Sequence, residues 1–231
     1  MCGRFSLHAS PASVRAVFDL DEVPVLEPRF NIAPSARVAC VGRHEDRNLC
    51  RFVTWGLLPP WAGSDEPGRR LAQARSETAA DKPSFREAWR RRRCLLPASG
   101  FYEWAPGAGL KDPWYVRPRD GDLLALAGLW ERWTSAEDGR VEVGCTVLTK
   151  DADGDLAAVH PRMPVLLPRA AAAAWLEPGL TDADEVAALV RGAALGAADL
   201  ELWRVGRDVN DARNDGPGLC APLAPPRTAD S

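Results

Sequence analysis

CLLPASGFYEW (residues 94–104) is the stretch that decides the fold. Two apolar runs, 94–97 and 101–104, flank the turn residues Ala98, Ser99 and Gly100 and read as short strands. Three further runs, WYV (114–116), LLALAGLW (123–130) and VEVGCTVL (141–148), read as successive strands of a sheet. Outward from this block, residues 4–7, 38–41 and 50–55 read as strands, and 203–205 as a last one. Ser10 caps a helix through Val14 and Phe18. Pro83 opens a helix over 84–93, with Phe85, Ala88 and Trp89 on an apolar face and Arg86, Arg90 and Arg93 on another. Helices follow at 169–176 and 183–193, and 59–70 is a loop. Strands dominate and helices come in clusters, which predicts a single α+β domain: a mainly antiparallel sheet or barrel-like core with flanking helices. That domain is expected over 1–221, with 222–231, which holds three prolines, as a loose tail.

Composition fits this picture. The chain has 231 residues, 46% hydrophobic and 26% charged, with a formal net charge of −3. These values describe a globular protein and exclude a disordered chain, a collagen-like repeat or a coiled coil. There is no apolar run of about 18 residues to cross a membrane. MCGRFSLHAS (residues 1–10) lacks the apolar core of a secretory signal, so a cytoplasmic, nucleoid-associated location with reduced thiols is expected. The cysteines are Cys2, Cys40, Cys50, Cys94, Cys145 and Cys220, and no two have zinc-site spacing. Neither a metal nor a nucleotide cofactor is expected, since no Walker or Rossmann fingerprint occurs. Cys40, Cys94 and Cys145 lie in apolar stretches and read as small core residues. Only Lys82, Lys111 and Lys150 are lysine among the 29 basic residues. Arginine suits bidentate phosphate contacts, although a GC-rich genome gives the same bias.

Cys2 is the unusual residue. Removal of Met1 leaves an α-amine beside a thiol, and both groups are nucleophilic near neutral pH. Such a 1,2-aminothiol condenses with an aldehyde: the amine forms an imine and the thiol closes a thiazolidine ring. On position alone, an idle terminal cysteine is the favoured reading. Glu103 lies among Phe101, Tyr102 and Trp104, so it is either on the outward face of a strand or desolvated and suited to proton transfer. His160, in AVHPRMPVLL, is one of three histidines, and a lone histidine also serves structural roles. Arg4 shares a strand face with Cys2 and places a cation near it. Arg86 with Arg90–Arg93 forms a basic patch or a solvated helix face. Trp61, in a Pro/Gly loop, stacks on a base or caps the core.

Taken together, MCGRF (1–5), RFNIAPS (29–35), WGLLPPW (55–61), ARSET (74–78), KPSFR (82–86), RRCLLPASGFYEW (92–104) and HPRMPV (160–165) resemble the SOS response-associated peptidase family, also called abasic site processing proteins. The blocks run in family order from residue 2 to Val209 and Asn210. The resemblance implies a protein that senses abasic sites in single-stranded DNA and at junctions of stalled forks. It implies covalent capture of the ring-opened sugar as a thiazolidine through Cys2, with latent lyase activity. Cys2, Glu103 and His160 match catalytic positions. Arg4, Arg75 and Arg162 match positions associated with the DNA backbone and Trp61 the loop aromatic near DNA; Asn31 is expected to position substrate, and Arg86, in the basic patch, to bind DNA. Gln73, expected to position substrate, stands where the family has asparagine; its extra methylene displaces the amide by about 1.5 Å, a distance to which positioning is sensitive. Two other readings stay open: a cysteine peptidase using Cys2, His160 and Glu103 with autoproteolytic processing, and a non-covalent single-strand-binding module. A monomer is expected.

Overall fold

The computed structural model describes residues 3–65, 70–106 and 111–223. Its elements, in order, are β1 (Phe5–Leu7), α1 (Pro11–Phe18), β2 (Arg29–Ile32), β3 (Arg37–His44), β4 (Arg47–Trp55), β5 (Gln73–Arg75), α2 (Ser76–Ala79), α3 (Arg86–Arg91), β6 (Arg93–Ala98), β7 (Gly100–Ala105), β8 (Asp112–Pro118), β9 (Leu124–Thr134), β10 (Val141–Asp151), α4 (Gly154–Val159), β11 (Arg162–Pro164), β12 (Leu166–Leu167), α5 (Arg169–Leu176), α6 (Ala183–Ala193) and β13 (Leu200–Arg204). The expected α+β class is what these elements form.

The stretch 94–104 is not one hairpin. β6 belongs to a closed five-strand barrel, β10-β4-β3-β6-β9 and back to β10, antiparallel except for the β4–β10 pair. β7 belongs to a second, antiparallel sheet of order β13-β8-β7-β1-β2. Ser99 hands the chain from one to the other, its N–H donating to Ser6 O (2.8 Å). The strand read at 114–116 is therefore not the neighbour of those at 123–130 and 141–148; β8 lies in the second sheet. Barrel closure requires close approach at Gly128, where a Cβ would lie 2.7 Å from Thr146 O and 2.7 Å from Leu96 Cδ1.

Helices cover the barrel through large aromatics. Trp89 of α3 meets Trp175 of α5 edge to face, with centroids 5.9 Å apart. Each indole N–H is satisfied, by Ala183 O (3.2 Å) and Cys94 O (2.9 Å). Ser10 does cap α1, accepting from Ser13 N–H (3.1 Å). The helix expected over 84–93 stops at Arg91. Arg92 pairs with Glu131 (2.7 Å), and Arg93 is buried at the start of β6. The Arg93 guanidinium donates to Trp89 O (3.1 Å), Arg90 O (2.6 Å), Trp175 O (2.7 Å) and Glu177 O (2.6 Å). These are the carbonyls that two helix C-termini leave without intrahelical partners. The basic patch thus narrows to Arg86, Arg90 and Arg91, all exposed. Cys40, Cys94 and Cys145 are buried, as read. Residues 224–231 of the expected tail lie outside the described residues, whereas Leu223 N–H is held by Arg204 O (2.9 Å).

Candidate active site

β7 places Glu103. Its neighbours alternate: Phe101 enters the main core, while Tyr102 enters a second cluster with Tyr115, Val205, Val209 and Leu219. Both faces of this strand are covered, so Glu103, on the Phe101 side, is desolvated at 1% exposure. Burial pushes its carboxyl up to about 7.

α4 packs against β7 and ends at Val159, after which His160 adopts an extended backbone. Its Nδ1 comes within 3.7 Å of Glu103 Oε2. Arg162 N–H donates to the same Nδ1 (3.0 Å), and Arg162 O lies 3.0 Å from it. Burial lowers the His160 pKa from its ordinary 6.5. The structure therefore joins two of the expected catalytic residues. The third, Cys2, lies outside the described residues.

Arg4 sits beside this pair along the chain. Tyr102 N–H donates to Arg4 O (2.9 Å), continuing the β1–β7 register towards Glu103. Arg4 Nη1 donates to Asn31 Oδ1 (2.6 Å) and Val209 O (2.7 Å), and its guanidinium lies 5.8 Å from the Trp104 ring centroid. Buried Asn31 donates in turn to Asp211 O (3.0 Å) and Asn214 O (2.9 Å). Asn31 therefore holds both Arg4 and the segment after the 3-10 turn at Arg207–Asn210. Trp104 Nε1 donates to Asn210 Oδ1 (2.6 Å). Sequence reasoning missed Trp104, although it stands beside Glu103 and its partner Asn210 had been noted.

On the other side, β5 runs parallel to β10, with Gln73 opposite Val147 and Arg75 opposite Thr149. Gln73 is half-buried and Arg75 exposed. Arg162, opposite Asp151 in the β10–β11 pair, is bonded to Glu77, Asp151 and Thr149. Glu77 and Asp151 also escaped the sequence reading; Glu77 is the acidic residue of ARSET. Trp61 is 61% exposed at the head of a loop whose Ala62 O accepts from Trp133 Nε1 (2.7 Å). Arg86 is apart from this assembly, since α3 packs on α6, β6 and β9. Among the described residues no cluster of three or more His, Cys, Asp or Glu could hold a metal ion, and no helix is long and apolar enough to cross a membrane.

A buried carboxyl thus lies beside a histidine, bordered by arginines and aromatics, on a barrel-and-sheet scaffold. The chain belongs to the SOS response associated peptidase (SRAP) family, whose model matches residues 1–212. Among its relatives, the abasic site processing protein YoqW of Bacillus subtilis is 34% identical over 223 residues, covering 95% of this chain and 98% of that protein. The Escherichia coli abasic site processing protein YedK is 29% identical, covering 96% of this chain and all of that protein. A Bordetella bronchiseptica crystal structure aligns with TM-score 0.74 and 28% identity, covering 89% of this chain and all of that one. A Bacteroides thetaiotaomicron structure shares the fold with TM-score 0.84 at 23% identity, covering 96% and 100%.

Proposed function

We propose that this chain captures abasic sites in single-stranded DNA by covalent bonding through Cys2 after loss of Met1, and so shields the lesion. The observation that carries this reading is the pairing of Glu103, near-fully buried with its carboxyl at about 7, with His160 at 3.7 Å. The setting is a family whose relatives are named for abasic site processing. Connectivity supports it too. Cys2 is two positions before Arg4, a reach of about 7 Å, and the Arg4 backbone is bonded to the residue beside Glu103.

The chemistry follows from the proton inventory. An abasic deoxyribose is a closed hemiacetal, and opening it moves a proton from the C1′ hydroxyl to the ring oxygen. His160, whose imidazole burial biases towards the neutral form, serves that transfer. The Cys2 amine adds to the exposed C1′ aldehyde, and the carbinolamine loses water to give the imine. Glu103, which exchanges its proton near neutrality, supplies and retrieves protons in these steps. The Cys2 sulfur then bonds to the imine carbon and its proton passes to nitrogen, closing the thiazolidine with one water lost overall. Unclosed, the same imine permits β-elimination, a latent lyase activity.

Arg4, with Nη1 held by Asn31 and Val209, and exposed Arg75 and Trp61 take the flanking phosphates and a base. Gln73 and Asn31 position the sugar and its surroundings, Arg86 meets DNA only beyond the reacting sugar, and residues 1–221 form the working unit. The decisive experiment is a denaturing gel of wild-type protein with an abasic single-stranded oligonucleotide, alongside intact-mass measurement. A heat-stable adduct on protein lacking Met1 is expected. An adduct on protein that fully retains Met1 overturns the mechanism. Peptide turnover without any adduct establishes the cysteine peptidase reading, and salt-sensitive binding alone the non-covalent one.

A further inference from the structure

Arg162 is 13% exposed at its side chain, yet its charge is already answered within the protein. Nη1 donates to Glu77 Oε1 (2.8 Å) and Asp151 Oδ1 (2.6 Å). Nη2 donates to Glu77 Oε2 (2.8 Å) and Thr149 O (2.7 Å), with Thr149 Oγ1 at 3.2 Å. The two Nη nitrogens carry four hydrogens, and all four have acceptors. Nε is buried and offers nothing to solvent. A phosphate reaches this guanidinium only by displacing a carboxylate. The Glu77 contact is the bidentate fork that fixes a guanidinium in position as well as neutralising it.

What the anchored residue presents to the site is its backbone. Arg162 N–H donates to His160 Nδ1 (3.0 Å) across Pro161, whose ring limits how far the two residues can shift. A donor at Nδ1 requires a lone pair there, so the neutral ring carries its hydrogen on Nε2. The opposite tautomer has acceptors nearby: Arg162 O at 3.0 Å and Glu103 Oε2 at 3.7 Å from Nδ1. The ring orientation and tautomer thus depend on where the Arg162 backbone is held. The β10–β11 pairing, Asp151 and Thr149 hold Arg162 from one side, and Glu77, on α2 directly after β5, grips its guanidinium from the other.

We propose that Glu77 is a positioning residue: through its two-oxygen grip on Arg162 it keeps the Arg162 N–H on His160 Nδ1 and so selects the Nε2–H form of the imidazole that meets the sugar. The part about the sugar rests on the reading of His160 given above; the selection of the tautomer does not.

Two measurements test it on the full chain. The first is ring ¹⁵N NMR of histidine-labelled protein, with His160 assigned by comparison with His160→Ala among only three histidines. In wild type, His160 should show a protonated Nε2 and an unprotonated, hydrogen-bonded Nδ1. Glu77→Ala should move these shifts towards a mixture of tautomers, and Glu77→Gln, which keeps the shape and one acceptor, should move them less. Glu77→Gln is the variant read if Glu77→Ala fails to fold. Unchanged His160 shifts in the folded variant overturn the proposal.

The second is the rate of adduct formation on an abasic single-stranded oligonucleotide at saturating protein, with affinity for the intact strand measured in parallel. Glu77→Ala should slow bond formation roughly tenfold or more, as small displacements of a catalytic group do. Intact-strand affinity should stay within about twofold. In a His160→Ala background, Glu77→Ala should cause no further loss. An equal slowing in that background, or tighter strand binding with an unchanged rate, overturns the proposal; the latter outcome would make Glu77 a shield over a phosphate-binding Arg162. If wild type forms no adduct at all, the proposed function fails while the NMR comparison still decides the role of Glu77.

Discussion

Glu103 is held at 1% exposure with its carboxyl raised by burial to about 7, against an ordinary value of 4.5. Between those two pH values the native state binds the extra proton and the unfolded chain does not. Stability from this group is therefore full below 4.5 and is lost as the pH rises through 7. The difference is on the order of 3 kcal/mol. Glu103→Gln, which stays neutral, should melt several degrees higher than wild type at pH 8 and show little difference at pH 4.5. The same variant should slow adduct formation by about two orders of magnitude, since an amide transfers no proton. Paired thermal melts and gel time courses check both halves; a variant no more stable at pH 8 would show that burial does not oppose ionisation here. His160 shifts the other way for the same physical reason, since burial lowers the affinity of a base for its proton. Burial thus biases the pair towards a proton on Glu103 and a neutral imidazole on His160. The sequence showed that Glu103 is flanked by aromatics. It left outward and desolvated readings open, because period-two alternation does not reveal that both faces of β7 are covered.

At the level of elements, the long runs were legible and the short ones were not. The helices read at 169–176 and 183–193 occur as α5 and α6, and β9 and β10 run on past the C-terminal ends of the strands read at 123–130 and 141–148. β5, β11 and β12 have three, three and two residues, too few to display a period, and exist because β9 and β10 offer free edges to pair with. Arg93 was misread because a helix-face pattern and a helix-capping arginine look alike in one dimension; only the tertiary arrangement brings two C-termini to one guanidinium. Arg93→Met should leave those carbonyls without their charged donor and cost about 3 kcal/mol. The melting temperature should then fall by roughly 10 °C, while the adduct rate per folded molecule is unaltered. A fall of less than about 2 °C would mean that water replaces the guanidinium at little cost. Asn31 plays the same organising part inside the site. Asn31→Ala removes the bonds to Asp211 O and Asn214 O and leaves Arg4 Nη1 with Val209 O alone. It should cost about 2 kcal/mol and weaken binding of abasic and intact strands alike. Selective loss of the covalent step, with strand affinity intact, would instead assign Asn31 to the sugar.

For the molecule as a whole, the formal net charge is −3 while the proposed partner is a polyanion. Binding then depends on where the arginines are and which of them are already neutralised, and net charge does not report either. Arg162 is saturated by Glu77, Asp151 and Thr149. Arg93 is consumed by helix ends and Arg92 by Glu131. Of the arginines that border the site, Arg75 is exposed and Arg4 is part-buried with Nη1 occupied. The long blocks of motif made the site's membership legible in the sequence. Its charge state was not, because ion pairs such as Glu77–Arg162 join residues 85 positions apart. Few free cations should mean few released counterions. The logarithm of strand affinity against the logarithm of salt concentration should fall with a slope of only about −1.5 to −3, corresponding to two to four phosphates on a single strand. Arg75→Ala should make that slope shallower by about 0.7, the contribution of one phosphate. Arg162→Ala should leave the slope unchanged while slowing adduct formation. Fluorescence anisotropy of an intact labelled oligonucleotide across a salt series measures all three. A slope near −0.7 times six or more phosphates would require contacts well beyond Arg4, Arg75 and Arg86, and would bring the exposed Arg90 and Arg91 of α3 into the DNA path.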